Sequence, residues 1–203
     1  MELNVFARLY AREGQHDALA AVLVGHLGEV RTTPGCLAIH DYRSIRDPRL
    51  LYIHSRWTDE AAFEKYARLP DTDRFVEAVE KLMDRPPLEA TRTKAIGDVR
   101  EGTKVGSADL FIFARFHARA GNEDALAGAL WDVHGPTAQE PGCLAHQIYR
   151  SIRDPRLYYV HSLWKNEAAF EEHVGLPHTV HFAQRVEKLI DHALEVTRAK
   201  QIG

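Results

Sequence analysis

Cysteine is scarce in this 203-residue sequence, which contains only Cys36 and Cys143. Both occur in copies of the same segment, PGCLA, and residues related by such a repeat usually lie on opposite sides of a pseudo-twofold axis. A disulfide between them is therefore not expected. A reducing, cytoplasmic location is expected instead. Each cysteine is expected to be a small core residue rather than a reactive thiol.

Long apolar runs and runs of like charge are also missing. No apolar segment approaches the roughly 18 residues that a membrane-spanning helix needs. The first residues, MELNVFARLY, lack the apolar core of a signal peptide. Lysine and arginine are scattered, and the formal net charge is only -3. These features argue against nucleic acid or an anionic membrane as the partner.

The sequence does contain a long internal repeat. The segments YRSIRDPRLLYIHSRW (42–57) and YRSIRDPRLYYVHSLW (149–164) are identical at 13 of 16 positions, and similar matches extend over nearly the whole chain. The stretch between the copies, GDVREGTKVGS, is rich in glycine and charge and is typical of a linker. We predict two domains, residues 1–97 and 108–203, joined by a linker at residues 98–107.

Hydrophobic periodicity predicts the same elements in each copy. In the first copy, strands are expected over residues 2–11, 36–43, 50–57 and 88–96 because apolar residues alternate there. Helices are expected over residues 14–30 and 59–83, the second interrupted at Leu69-Pro70. The order βαββαβ predicts an α+β fold of two tandem ferredoxin-like units.

The first strand carries large apolar residues on both faces. Leu3, Val5 and Leu9 alternate with Phe6 and Tyr10, whereas an antiparallel sheet covered by helices on one side needs only one apolar face. The second face is expected to be covered by the other copy, which predicts an intramolecular dimeric α/β barrel. Association of such pseudo-dimers into a homo-oligomer is compatible with the sequence.

The second copy carries a more specific motif. It contains EPGC (140–143), a strand ending in Trp164, and then EAAFEEH (167–173) followed by PH (177–178). This pattern resembles the antibiotic biosynthesis monooxygenase family of dimeric α/β barrels, and this copy is most similar to the quinol-monooxygenase-like branch. The first copy keeps Trp57 but has Tyr66 in place of His173. The difference suggests either one working pocket, in the second copy, or two pockets with different tasks.

The resemblance implies a pocket where the third strand meets the following helix. The candidate catalytic residues are His173, His178 and Trp164: imidazole transfers protons near neutral pH, and the tryptophan is expected beside the histidines as a wall of the pocket. The candidate substrate-binding residues of both copies are Ser55, Trp57, Phe63, Tyr66, His26, Ser162, Phe170 and His134. Alternatively, the histidines cap or bridge helices and the tryptophans are core residues.

Other chemistries of the family match less well. The residues that haem-degrading members need fall on Ala7, Tyr66 and Phe75 in the first copy, which disfavours haem degradation. Two residues of the anthrone-oxidising members fall on Val160 and Phe170, so that constellation is largely missing. No metal site is expected in HVGLPHTVH (173–181), because neither a carboxylate nor a cysteine stands there at ligand spacing.

Three functions are compatible with these observations. The first is a cofactor-independent monooxygenase of a quinol-like or polycyclic phenolic substrate, in which a histidine takes the phenolic proton and the substrate anion reduces dioxygen. No flavin or metal is then implied, and the partners are a small aromatic molecule and dioxygen. The second is an acid–base isomerase of a small metabolite, and the third is a non-catalytic module that binds a small ligand.

Overall fold

The computed structural model describes residues 1–97 and 108–203, so the predicted linker lies outside the described residues. The chain divides into two units. Unit 1 comprises Met1–Lys94 together with Lys200–Gly203, and unit 2 comprises Ala95–Ala199. The domain boundaries at residues 97 and 108 stay a prediction.

Both units follow the predicted βαββαβ order, with the second helix in two parts. The elements of unit 1 are β1 (Leu3–Tyr10), α1 (His16–Thr32), β2 (Cys36–Ser44), β3 (Leu50–Trp57), α2 (Glu60–Ala67), α3 (Pro70–Leu82) and β4 (Ala90–Ile96), whose last two residues belong to unit 2. The elements of unit 2 are β5 (Leu110–His117), α4 (Glu123–Ala138), β6 (Cys143–Ser151), β7 (Leu157–Trp164), α5 (Glu167–Gly175), α6 (Pro177–Val186) and β8 (Glu195–Gln201), whose last two residues belong to unit 1.

Each unit has an antiparallel sheet with the same pairing. In unit 1 the strand order is β4-β1-β3-β2, and in unit 2 it is β8-β5-β7-β6. The register also repeats, since Leu3 lies opposite Trp57 and Leu110 lies opposite Trp164. The sequence repeat is therefore a repeat of structure down to single cross-strand pairs.

Local sequence signals set the two short helices after the third strand. The Asp59 side chain caps α2 by accepting a hydrogen bond from the backbone N–H of Ala62 at 2.8 Å, and Asn166 caps α5 in the same way. Pro70 and Pro177 then begin α3 and α6, because proline lacks the N–H that a continuous helix would need. After each bend the two short helices of a unit remain in contact with one another.

Two sequence expectations concern membrane helices and the cysteine thiols. No helix in the described ranges is long and apolar enough to cross a membrane, and the cytoplasmic location stays a prediction. Cys36 and Cys143 are both free. Burial raises the pKa of both thiols, that of Cys143 to about 12, so neither is poised as a nucleophile.

Gly35, in the PGC turn before β2, is where we expect a single methyl group to disturb the fold. Its φ is +88°, and a Cβ placed there would lie 2.5 Å from the Cβ of Ala62 in α2. Gly35→Ala is therefore expected to lower the free energy of unfolding by about 2–3 kcal/mol, through backbone strain and overlap. Denaturant unfolding measures this loss.

Gly28 in α1 provides the matched control for that variant. A Cβ at Gly28 meets nothing within 4 Å, and helical alanine is favoured over glycine by roughly 0.5–1 kcal/mol. Gly28→Ala should leave stability unchanged or raise it slightly. Equal losses of stability in the two variants would show that the close approach of Gly35 to Ala62 does not destabilise the Gly35→Ala variant.

Candidate functional site

Each unit contains a cavity between its sheet and its helices, at equivalent positions in the repeat. The cavity of unit 1 measures about 160 Å³ and that of unit 2 about 330 Å³. Apolar side chains form most of both walls. The polar residues of the first cavity are His26, Asp41, Ser55, Tyr66 and Thr72, and those of the second are Thr137, His146, Ser162, His173, Thr179 and Arg198.

The two repeated tryptophans lie behind the cavity walls. Trp57 and Trp164 are at most 1% exposed. Their indole N–H groups donate to the hydroxyls of Ser55 and Ser162 at 3.0 and 2.9 Å. The serines two residues before each tryptophan thus satisfy a buried donor, as a buried indole requires. Each tryptophan ring contacts the variable side chain in front of it, Tyr66 at 4.9 Å or His173 at 4.8 Å between ring centroids.

In unit 2 a carboxylate joins the two candidate catalytic histidines. Oε1 of Glu140 lies 2.8 Å from Nδ1 of His173 and 2.9 Å from Nε2 of His178. A carboxylate oxygen accepts, so Nδ1 of His173 carries the proton and its Nε2 keeps a free lone pair. Glu140 is the first residue of EPGC and follows α4, and its side chain is only 10% exposed. The geometry is that of a carboxylate orienting a histidine base.

A second pair of histidines lies in the same unit. His146 on β6 lines the cavity, and its Nδ1 lies 2.9 Å from Nδ1 of His134 on α4, so one ring donates and the other accepts. Burial, followed by the influence of His134 and His173, lowers the pKa of His146 to about 3. His146 is therefore neutral at physiological pH and offers hydrogen bonding rather than charge.

The hydroxyl of Thr137 is a further polar group at the wall of the unit 2 cavity. The residue lines the cavity from α4 and is fully buried, yet its hydroxyl has no hydrogen-bond partner. Buried hydroxyls normally have a partner, and an unpaired one at a cavity wall fits a site where a bound molecule supplies it.

Unit 1 replaces the carboxylate–histidine arrangement with a histidine–tyrosine pair. Nε2 of His26 lies 3.0 Å from the hydroxyl of Tyr66, and Nδ1 of His26 lies 3.2 Å from Glu29. Burial lowers the pKa of His26 and raises that of Tyr66 to about 12, so both groups are neutral at physiological pH. The Phe75 ring stacks on His26 at 4.0 Å, which further fixes the imidazole.

Among the described residues, Asp41 on β2 is the carboxylate that lines the unit 1 cavity. It is 1% exposed, and its Oδ2 has no hydrogen-bond partner. Burial raises its pKa to about 7, an effect that the nearby Arg31 only partly opposes. The equivalent residue of unit 2 is Ile148, a buried core residue.

The fold places a carboxylate from outside segment 173–181, that of Glu140, beside two of the histidines of that segment. The described part of the chain contains two groups of three residues whose donor atoms lie within 4.8 Å of one another inside the group. One group is Glu140, His173 and His178, and the other is His117, Asp191 and His192. Two imidazoles and a carboxylate suit a divalent transition metal. The first group is thus able to hold an ion in place of its hydrogen bonds. The absence of a metal requirement stays a prediction.

The structure brings together most residues that the sequence singled out. His26, Ser55, Phe63 and Tyr66 line the first cavity, and Ser162, Phe170 and His173 line the second. The remaining four, Trp57, Trp164, His134 and His178, lie one layer behind, in contact with lining residues or Glu140. Sequence reasoning missed Glu140, Asp41, His146 and Thr137. Asp41 shares a face of β2 with Ile39, and His146 shares a face of β6 with Ile148, so polarity at these two strand positions was an available signal for Asp41 and His146.

Comparison with known proteins gives one family. A family model described as antibiotic biosynthesis monooxygenase matches the chain twice, over residues 3–78 and 110–185. A curated protein of Mycobacterium tuberculosis, named "Putative monooxygenase Rv0793", is 29% identical over 86 residues, which cover 42% of this chain and 84% of that protein.

Solved structures resemble the whole chain, and two of them serve as examples. A Fusobacterium nucleatum protein named "Putative monooxygenase (FN1347)" has a TM-score of 0.76 at 12% identity, and an "anthrone oxidase-like protein" has 0.79 at 14%. Each match covers 100% of this chain and 92% of the other. At these identities the likeness concerns the fold. With the repeated family match it confirms the predicted fold class, an α+β chain of two ferredoxin-like units of the dimeric α/β barrel type.

Proposed function

Since the chain belongs to the antibiotic biosynthesis monooxygenase family, we propose that unit 2 oxidises a quinol-like or polycyclic phenolic substrate with dioxygen and without a cofactor. The observation that carries this proposal is the hydrogen bond between Glu140 and His173 at the wall of a largely apolar cavity. Apolar walls suit an aromatic ring, and the oriented imidazole suits removal of a phenolic proton.

The size and polarity of the cavity support an aromatic substrate. At about 330 Å³ it falls in the range of small-molecule sites, roughly 300–1,000 Å³. Phe116, Phe170 and Phe182 contribute aromatic walls. Thr137 and the neutral His146 offer hydrogen bonds to a second oxygen of the substrate without placing a competing charge beside the phenolate.

The proposed reaction begins with proton transfer. Nε2 of His173 takes the proton of the phenolic hydroxyl, and Glu140 stabilises the imidazolium that forms, through the hydrogen bond at Nδ1. The phenolate is electron-rich and donates an electron to dioxygen, after which the two radicals combine at a hydrogen-bearing ring carbon ortho or para to the oxygen. Loss of water then leaves a quinone: one oxygen atom forms the new C=O, and the other leaves in water with the two hydrogens.

The same acid–base pair supports one other class of reaction. An isomerase that moves a proton on a small metabolite would also use Glu140 and His173, without consuming dioxygen. The predominantly apolar walls favour the aromatic substrate over a small polar one. A non-catalytic binding module would need neither the proton acceptor nor its carboxylate partner.

Oxygen uptake by chelator-treated protein tests the proposed function. We expect uptake with members of a panel of hydroquinones, naphthols and anthrones, and one ¹⁸O atom in each product molecule when ¹⁸O₂ is supplied. Saturable aromatic binding without uptake would contradict the oxygenase and favour an isomerase or a binding module. Activity lost with the chelator and restored by a divalent metal would instead assign Glu140, His173 and His178 to a metal.

A further inference from the structure

We propose that the unit 1 cavity is a separate binding site for a small, mostly apolar molecule that carries one protonated amine, and that the carboxylate of Asp41 recognises the amine. Nothing in the unit 2 cavity matches this arrangement, because Ile148 replaces Asp41 there. The inference is independent of the oxidation proposed for unit 2.

Asp41 lacks the partner that a buried carboxylate normally has. Its side chain lines the cavity from β2 at 1% exposure, and Oδ2 accepts no hydrogen bond. The backbone N–H of Ile202 donates to the carbonyl of Asp41 and leaves the carboxylate unpaired. Arg31, whose charge partly offsets the effect of burial on Asp41, donates through Nη2 to the carbonyl of Ile39 at 3.3 Å. Buried charges are usually paired, so the structure has an acceptor that a ligand can satisfy.

The other polar groups around the cavity are already engaged with one another. From α1, His26 is paired with Glu29 and Tyr66. From α3, the Thr72 hydroxyl donates to the carbonyl of Tyr66, and on β3 the Ser55 hydroxyl accepts from Trp57. His40, next to Asp41 on β2, points to the opposite face by strand alternation, and burial and nearby arginines lower its pKa. A ligand that enters therefore meets one unpaired polar group, the carboxylate.

A cationic donor fits this carboxylate better than a neutral one. The carboxylate loses its contact with water when the protein folds, before any ligand binds, and this burial raises the pKa of Asp41 to about 7. An ammonium group within the cavity would give the carboxylate a charge-assisted hydrogen bond, which is roughly twice as strong as a neutral one. A hydroxyl would supply the hydrogen bond without the charge.

The volume restricts the ligand to about one ring. An apolar protein cavity of roughly 150 Å³ is known to hold benzene. The unit 1 cavity measures about 160 Å³ and is bounded by aliphatic and aromatic side chains, including Leu23, Ile53 and Phe63. A six-membered ring with a short aminoalkyl arm fills such a space.

Calorimetric titration with three matched probes tests the site: benzylamine, benzyl alcohol and toluene. We expect benzylamine to bind at least tenfold more tightly than the two neutral probes at pH 8. Its affinity should rise about tenfold from pH 6 to pH 8, because benzylamine stays protonated in this range while Asp41 ionises with a pKa of about 7. Equal affinities for the three probes, or no binding of any, would overturn the proposal.

Two variants assign the effect to Asp41. Asp41→Asn keeps the shape and Asp41→Ile introduces the residue found at this place in unit 2, and both should remove the preference for benzylamine and its pH dependence. Retained toluene binding shows that the variant cavity is intact. Asp73→Asn, an exposed carboxylate of α3, is the control and should bind benzylamine like the wild type. A preference for benzylamine that survives both Asp41 variants would overturn the assignment.

Discussion

Replacing His173 with alanine is expected to reduce kcat for oxygen uptake by about 10²–10⁴-fold, the usual contribution of a positioned general base. The imidazole lines the unit 2 cavity and is the proton acceptor of the proposed reaction. Because the ring also contacts Trp164, His173→Gln serves as a second variant that retains more of the packing. Steady-state oxygen consumption with the best substrate of the panel measures the loss.

Glu140→Gln separates the positioning role from the base itself. The amide oxygen can still accept from His173, but the negative charge that favours the imidazolium is gone. We expect a smaller loss of kcat, about 10–10²-fold, and a shift of the lower limb of the pH–rate profile, since the carboxylate no longer supports the charged ring. A variant that lost only stability would keep the wild-type profile.

His181→Ala is the matched control for the histidine variants. His181 lies on α6, three residues after His178, and its side chain is exposed. It should keep wild-type uptake. If His173→Ala also kept wild-type uptake with a folded protein, His173 would not be the base, and the proposed reaction would need another proton acceptor.

The ligand-free protein is expected to lose about 4 kcal/mol of stability through Asp41 as the pH rises from 4 to 8. The pKa of this carboxyl is 3.8 in the unfolded chain and about 7 in the folded one. Between these values the folded state holds a proton that the unfolded state has released, so raising the pH favours unfolding. A difference of about three pKa units corresponds to roughly 4 kcal/mol, lost progressively up to about pH 7 and constant above it.

Denaturant unfolding of wild type and Asp41→Asn across this range measures the effect. The buried histidines act in the opposite direction, because their lowered pKa values make stability fall at acidic pH. The difference between the two proteins cancels that common contribution. We expect the free energy of unfolding of Asp41→Asn, relative to that of the wild type, to increase steadily from pH 4 to pH 7. The same difference for Asp73→Asn should not change with pH. A difference that does not vary with pH would mean that the Asp41 carboxylate is solvated or paired.

Local sequence rules predicted the fold well because each element carries its own signal. Alternation predicted β1 and β3, and Leu69-Pro70 predicted the break between α2 and α3. These signals act within a few residues, so they can be read without knowing the packing. The repeat then doubled the evidence for each.

The site was harder to predict because its chemistry depends on contacts between distant residues. Glu140 precedes His173 by 33 positions, and no spacing rule relates them until α4, β6 and α5 are packed. Asp41 stands in a strand where a polar residue can equally face water, and only the three-dimensional packing makes it buried and unpaired. The tyrosine that replaces His173 in unit 1 did signal, from sequence alone, that the two cavities differ.

The division of the chain has a consequence for its synthesis. Lys200–Gly203 belong to unit 1, where Ile202 packs against the core and donates its N–H to Asp41 on β2. These residues follow all of unit 2 in the chain, so unit 1 cannot be completed on the ribosome before unit 2 has been translated. Early folding of the first 94 residues would give a unit whose second strand still lacks this hydrogen bond, although amino-terminal domains usually finish first. Maturation of the Asp41 cavity is thereby tied to translation of the second repeat.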